Sequence, residues 1–298
     1  MKKYKENRLF LLYISPWIIG FSIFTLFPML FSLVMSFTNA NVLQLWTDST
    51  EFIGLKNYKM MFVNDLNFLK SISNTLIFTV FRVSLGLIFA FLIALFFNQD
   101  LFGKKIMRTL VFLPSLIPTV ASALVWYLLL NEDAGLFNKV ITAFGLEKIK
   151  FLSYDNALNS VILMACWNGV GPAMLIFLAG LQGVPKDLIE AATIDGASKL
   201  KILLKVTIPI LSPTIIFLAI TNIVGALQAY AEMDMLTGGG PGDATITMTM
   251  MVVGNAFDSS AKGLGFASAQ SWFIFAIVMI FTLIMFKVNK KYSFYEEF

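Results

Sequence analysis

Five stretches of the sequence contain no Asp, Glu, Lys or Arg: Leu9–Phe37, Thr109–Asn131, Asn156–Pro185, Val206–Ala231 and Gly263–Phe286. A sixth, Ser71–Gln99, contains a single charge, Arg82. Each is longer than the roughly 20 residues a helix needs to cross the hydrocarbon of a bilayer. A backbone surrounded by lipid must satisfy its own N–H and C=O groups, so the six stretches read as helices. The expected fold is an all-α membrane protein with six transmembrane helices in a single domain, 1–298. The spans fall at about 9–37, 71–98, 109–131, 157–182, 207–231 and 264–287. Composition agrees, with 58% of residues hydrophobic and 13% charged, where soluble domains run near half and a quarter.

The same inventory removes several kinds of chemistry. The sequence has no His and one Cys, Cys166, inside an apolar run. An internal disulfide is excluded, and so are the usual metal sites and the nucleophile sets built on His or Cys. No catalytic residue and no metal ligand is expected. The formal net charge of +4 needs no nucleic-acid partner, because the placement of Lys and Arg accounts for it. With the N-terminus inside, the segments 1–8, 98–108, 182–205 and 287–298 carry fourteen basic residues. The longer outside segments 38–70, 131–158 and 232–262 carry seven. That bias predicts a multi-pass protein of the cell membrane with both termini cytoplasmic. Lys2, Lys3, Lys5 and Arg8 precede an apolar run too long for the core of a cleavable signal peptide.

Prolines punctuate the spans: Pro16 and Pro28, Pro114 and Pro118, Pro172, and Pro209 and Pro213. Each removes a backbone donor and favours a kink. Arg82 lies midway along its run and needs a partner or a route to the headgroups. A tie between helices and a contact with substrate both satisfy that need.

The connection before the fifth span has the most specific pattern, about residues 184–206. Pro185 suits a first helical turn. Asp187 and Glu190 place negative charge near that helix's positive end. Ala191 and Ala192 form helix with almost no bulk, and Gly196 permits a break between two short helices. Beyond it Ala197, Leu200 and Leu204 recur at helical spacing, with Lys201 and Lys205 elsewhere on the wheel. A narrow cytoplasmic helix of this kind can enter a partner's groove; a plain interfacial linker has the same pattern.

These residues closely resemble the EAA motif of ABC importer membrane subunits, here Glu190-Ala191-Ala192, Gly196 after three intervening residues, and Ile208-Pro209. The common extension Asp-Gly-Ala is present as Asp195-Gly196-Ala197, and the departures at Leu203, Val206 and Ile208 are apolar exchanges. A second segment, Thr237-Gly238-Gly239-Gly240-Pro241-Gly242, is similar to a loop of the carbohydrate branch, the relatives of the maltose-transporter permeases. It lacks the Lys-Ser/Thr of a phosphate-binding loop and is expected to form a tight external turn that helps dock a binding protein. Pro16–Phe21, Phe112-Leu-Pro-Ser and Phe177–Gln182 extend the likeness along the chain.

The resemblance implies a type I ABC importer permease fold and a set of partners. These are a second permease subunit forming a heterodimer, two ATPase subunits that bind ATP and Mg, an extracellular substrate-binding protein, and membrane lipid. No cofactor is implied in this chain. Glu190, Ala191, Ala192, Asp195 and Gly196 take the role of ATPase coupling. Asn168, Gly169, Asn222, Gly225 and Gln228 are the substrate-binding candidates by position in the fourth and fifth spans, with Trp167 and Tyr230 able to stack on a sugar face. A polar tie between helices is the other reading of each candidate. The implied cargo is a carbohydrate of several units, with a glycerol-phosphate-type substrate or a secondary transporter as alternatives.

Overall fold

A computed structural model describes residues 13–41, 50–63, 65–100, 102–257 and 262–292, with side chains described to 287. The basic residues Lys2, Lys3, Lys5 and Arg8, the first residues of the span 9–37, and residues 293–298 of the C-terminal segment lie outside the described residues.

Thirteen helices account for the described residues' regular structure. They are α1 (Tyr13–Met35), α2 (Lys56–Val63), α3 (Leu66–Phe97), α4 (Lys104–Phe112), α5 (Thr119–Leu129), α6 (Leu136–Ala143), α7 (Ala157–Gln182), α8 (Lys186–Ile194), α9 (Lys199–Ile210), α10 (Ser212–Leu227), α11 (Ala231–Thr237), α12 (Met248–Phe257) and α13 (Leu264–Tyr292). α1, α3, α7 and α13 are each continuous, apolar and long enough to cross a membrane. Two bent pairs supply the other candidates: α4 with its 3₁₀ extension to Leu116, followed by α5, and α9 followed by α10. The fold is that of an all-α membrane protein with six candidate spans.

The spans expected over 109–131 and 207–231 each contain two of the prolines that favour a kink, and the chain bends in both. The first pair turns through 101°. Pro114 sits in the 3₁₀ turn Leu113–Leu116. Ile117 then adopts φ −78°, ψ 128°, and Pro118 caps α5. Proline pushes the residue before it out of the helical region, so the break falls at Ile117. The second pair turns through 66°. α9 carries a π-helical turn, Leu203–Thr207, directly before Pro209. Pro213 opens α10. Each proline leaves a carbonyl one turn back without its N–H, and the chain answers with a wide turn and a bend. The same device recurs in α1, where the π turn Ser22–Leu26 precedes Pro28. The fifth helix also ends early: α10 stops at Leu227, and α11 precedes the glycine-rich segment.

The chain divides into two compact units, one formed by residues to Leu66 with Met251–Phe275, the other by Asn67–Met250 with residues from Ala276 onward. In the first unit, buried Asn57 donates through Nδ2 to the carbonyls of Ser36 (2.9 Å) and Thr38 (2.8 Å). Trp272 Nε1 donates to Ser32 Oγ at 3.2 Å, and Lys262 pairs with buried Asp65. In the second unit α7 is the central helix: 61% of its most apolar window is buried, against 22% for α3. Two apolar clusters flank it. One joins Phe78, Trp126, Met164 and Met233. The other joins Phe97, Met174, Phe177, Leu181, Val184 and Leu211. Large apolar side chains such as Phe24 and Leu128 point outward, as suits a lipid-facing surface.

Candidate functional site

The segment between α7 and α10 is assembled almost entirely from local interactions. Pro185, at φ −59° and ψ 126°, stands just outside α8, and Asp187 lies in its first turn. The helix ends in a left-handed glycine cap. Gly196 has φ +73°; its N–H donates to Thr193 O at 3.0 Å, and the Ala197 N–H donates back to Ala192 O at 3.0 Å. This pair of bonds is the Schellman arrangement, and only glycine takes that φ without strain. The apolar contact that accompanies such a cap joins the residue after glycine to the helix's last turns. Those positions are Ala197, Ala192 and Ala191, which gives the alanines a geometric reason as well as a propensity one. Ser198 is extended at ψ 156° and caps the next helix, its Oγ accepting from Lys201 N at 3.3 Å. Two helices are thereby joined through four residues, Asp195–Ser198.

One side of α8 is fixed and the other is free. Val184 is buried and Ile189 packs against the cluster containing Phe97 and Leu211. Glu190, Ala191, Asp195 and Gly196 are exposed, and Ala192 is half-buried. Leu188 and Ile194 are exposed apolar residues, Ile194 at 86%. The segment presents a small apolar and acidic knob on an anchored base, and all five coupling candidates belong to it.

The five substrate candidates do not form one cluster. Gly169 and Asn222 come together: with Arg82, Gly86, Ala165 and Cys166 they line one narrow cleft among α3, α7 and α10. Asn222 Nδ2 also donates to Leu218 O of its own helix at 2.8 Å. Asn168 instead accepts from Ser122 Oγ at 3.2 Å, a tie between α7 and α5. Gly225 and Gln228 are exposed, with Gln228 closing α10. Trp167 meets Trp126 edge-on at 5.9 Å. Tyr230 lies past the end of α10.

Gly171 is a residue that sequence reasoning missed. A Cβ there would lie 2.8 Å from Val111 O and 2.9 Å from Phe112 Cα, so α4 packs on α7 through bare backbone. Gly169, two residues earlier, has open space around it. Nothing in the sequence separates the two glycines.

The glycine-rich segment is a closed loop rather than one tight turn. Gly238, Gly239 and Gly242 have positive φ, and Gly240–Pro241 is cis. Thr245 N donates to Gly239 O at 3.0 Å, and the Thr237 and Thr245 hydroxyls meet at 2.6 Å. Asn74 of α3 donates to Asp243 O (2.9 Å) and Ile246 O (3.0 Å). The Tyr154 hydroxyl donates to Asp243 Oδ1 at 2.9 Å, and Lys70 lies over the Tyr154 ring. Beside it, the 131–156 connection holds α6, with Asn138 bonding Glu132 O and both backbone groups of Ile149. Lys148 pairs with Asp133 at 2.8 Å.

Comparison with known proteins places these features in a family. Residues 82–291 match the binding-protein-dependent transport system inner membrane component. The probable ABC transporter permease protein YesP of Bacillus subtilis (strain 168) is 36% identical over 98% of this chain and 94% of its own length. The trehalose/maltose transport system permease protein MalF of Thermococcus litoralis is 32% identical over 97% and 96%. A chain of the crystal structure of a bacterial alginate ABC transporter in complex with an alginate pentasaccharide-bound periplasmic protein superposes with TM-score 0.82, covering 97% of this chain and 96% of that one at 22% identity. The exposed glycine-capped helix, the proline-broken spans and the match over most of the chain converge: this protein belongs to the inner membrane components of binding-protein-dependent transport systems, the multi-pass permease subunits of ABC importers.

Proposed function

We propose that this chain is one permease domain in a heterodimer, served by two ATPase subunits that bind ATP and Mg, and by an extracellular binding protein that delivers a carbohydrate of several units. Both termini face the cytoplasm in this reading, which the distribution of Lys and Arg supports. α8 then lies on the ATPase side, and the 237–245 loop lies on the side where the binding protein docks. The carbohydrate reading draws support from the 32% identity to a trehalose/maltose permease.

The observation that carries the proposal is the anchored but exposed α8. Its base is held by Val184 and Ile189, while Glu190, Ala191, Asp195 and Gly196 face outward. When ATP closes the ATPase dimer, a helix seated in a groove of that dimer is displaced, and the capped junction passes the displacement to α9 and α10. Tilting those helices about the membrane centre exposes a central path to one side and then the other. Asn168, Gly169, Asn222, Gly225 and Gln228 are the candidates along that path.

The test is site-directed cross-linking in the complete transporter. A cysteine at Ala191, with buried Cys166 replaced, is expected to cross-link to a nucleotide-binding subunit and to be shielded from reagents added outside the cell. Labelling from the exterior, or no contact with a nucleotide-binding chain, would sink the coupling assignment.

A further inference from the structure

Arg82 is the sole charge within the six apolar stretches, and it sits midway along α3. That position is about 15 Å from either edge of the hydrocarbon, beyond the reach of a side chain toward the headgroups. Its guanidinium lies 5.9 Å from the centre of the Phe78 ring, and Nε is buried without a hydrogen-bond partner among the described residues. No carboxylate of this chain can answer it from the spans, because none of the eighteen acidic residues falls in those stretches. An intramembrane cation left in this way draws an anion from outside the chain.

What surrounds it separates the possible anions. Arg82 lines the same narrow cleft as Gly169 and Asn222, two of the five substrate-binding candidates. Gly86 and Gly169 leave that wall without side chains, and Asn222 adds an amide able both to donate and to accept. A guanidinium beside an amide and open backbone recognises an oxyanion attached to a hydroxyl-rich molecule.

We infer that Arg82 selects for charge on the translocation path, and that the substrate carries a carboxylate or phosphate, as in a uronic-acid oligosaccharide or a polyol phosphate. The inference rests on the importer reading proposed above and distinguishes, within it, a charged oligosaccharide from the polyol-phosphate alternative. In the present conformation the cleft offers about 10 Å³, the room of one water molecule. The anionic group therefore reaches the guanidinium only when the helices part during the transport cycle.

The experiment is uptake by cells carrying the complete transporter, with three separate probes: a uronate trisaccharide, sn-glycerol 3-phosphate and neutral maltotriose. The unchanged transporter is expected to take up one of the two anionic probes in preference to maltotriose, and which one distinguishes carboxylate from phosphate. Arg82→Gln is expected to lower that uptake about tenfold or more, with Arg82→Lys recovering part of it and the amount of protein in the membrane unchanged. Uptake of maltotriose alone, or undiminished anion uptake by Arg82→Gln, overturns the inference while leaving the carbohydrate reading in place. Loss of the second permease from the purified Arg82→Gln complex also overturns it, because the counter-charge then belongs to that subunit. Uptake of none of the three probes removes the carbohydrate reading and the inference with it.

Discussion

The junction at Gly196 and the cleft at Arg82 place unusual groups under opposite constraints. At the junction, every hydrogen bond that sets the geometry comes from residues within a turn or two of one another: Ala192, Thr193, Gly196, Ala197, Ser198 and Lys201. In the cleft, Arg82, Gly169 and Asn222 are spread over 140 positions of sequence and meet only through the packing of α3, α7 and α10. The first is a local conformation that survives small changes elsewhere; the second is a property of the assembled bundle. Substitutions should therefore sort by region: those at the junction impair coupling in a protein that still inserts and folds, and those around α7 act through packing or affinity.

Gly196→Pro presses that distinction hardest. Proline requires φ near −65° where Gly196 has +73°, and it deletes the N–H that bonds Thr193 O. Uptake should fall below detection while membrane fractions contain normal amounts of protein. Glu190→Lys, on the exposed face, should do the same. Normal uptake by both variants would erase the contrast.

The two glycines of α7 give the next largest effect. Gly171→Ala drives a methyl into the α4 backbone and should cost about 1–3 kcal/mol, read as a lower melting temperature in detergent. Gly169→Ala meets open space and should leave melting unchanged. Equal effects would remove the assignment of Gly171 to packing and of Gly169 to the cleft.

Asn222→Ala should raise the substrate concentration for half-maximal uptake by about tenfold, the equivalent of one lost hydrogen bond near 1.4 kcal/mol, without lowering protein in the membrane. Unaltered affinity would make Asn222 a residue of helix packing alone.

The smallest effect belongs to the surface. The Lys148 hydrogen bond, and then its charge, hold Asp133 below the ordinary carboxylate range, and the same contacts raise Lys148. A lowered carboxylate stabilises the fold above its unfolded pKa and loses that contribution as pH falls through the lowered folded value. Both groups are exposed, and water screens the pair. Asp133→Asn should therefore leave the melting temperature unchanged at neutral pH, and slightly reduce the difference in melting between neutral and strongly acid buffer. A large shift at neutral pH would show the 131–156 connection to depend on this pair.

Legibility in the sequence follows the same division. Unbroken apolar runs reveal the membrane-long helices because hydrocarbon imposes both length and composition. The junction shows too, since its signals, Glu190-Ala191-Ala192 and Gly196, lie within one short run. The breaks at Ile117 and Leu211 are only half visible. Prolines announce a kink, while its size, 101° in one case and 66° in the other, depends on what packs around it. α6, α11 and α12 are hidden because they are short and sit in connections whose order comes from distant partners, as when Asn74 bonds Asp243 and Ile246. Gly171 is silent for the same reason: its requirement is set by α4, far away in sequence.

The four-residue link from Asp195 to Ser198 has one more consequence. With a helix cap closing each side, it is a joint without backlash, in which little of an imposed stroke is lost to slack before the next helix turns. Such a joint tolerates no shimming. Under the coupling role proposed for α8, a bulkier or stiffer residue there should upset the timing between nucleotide turnover and cargo release, and the machine should idle, hydrolysing fuel without moving freight.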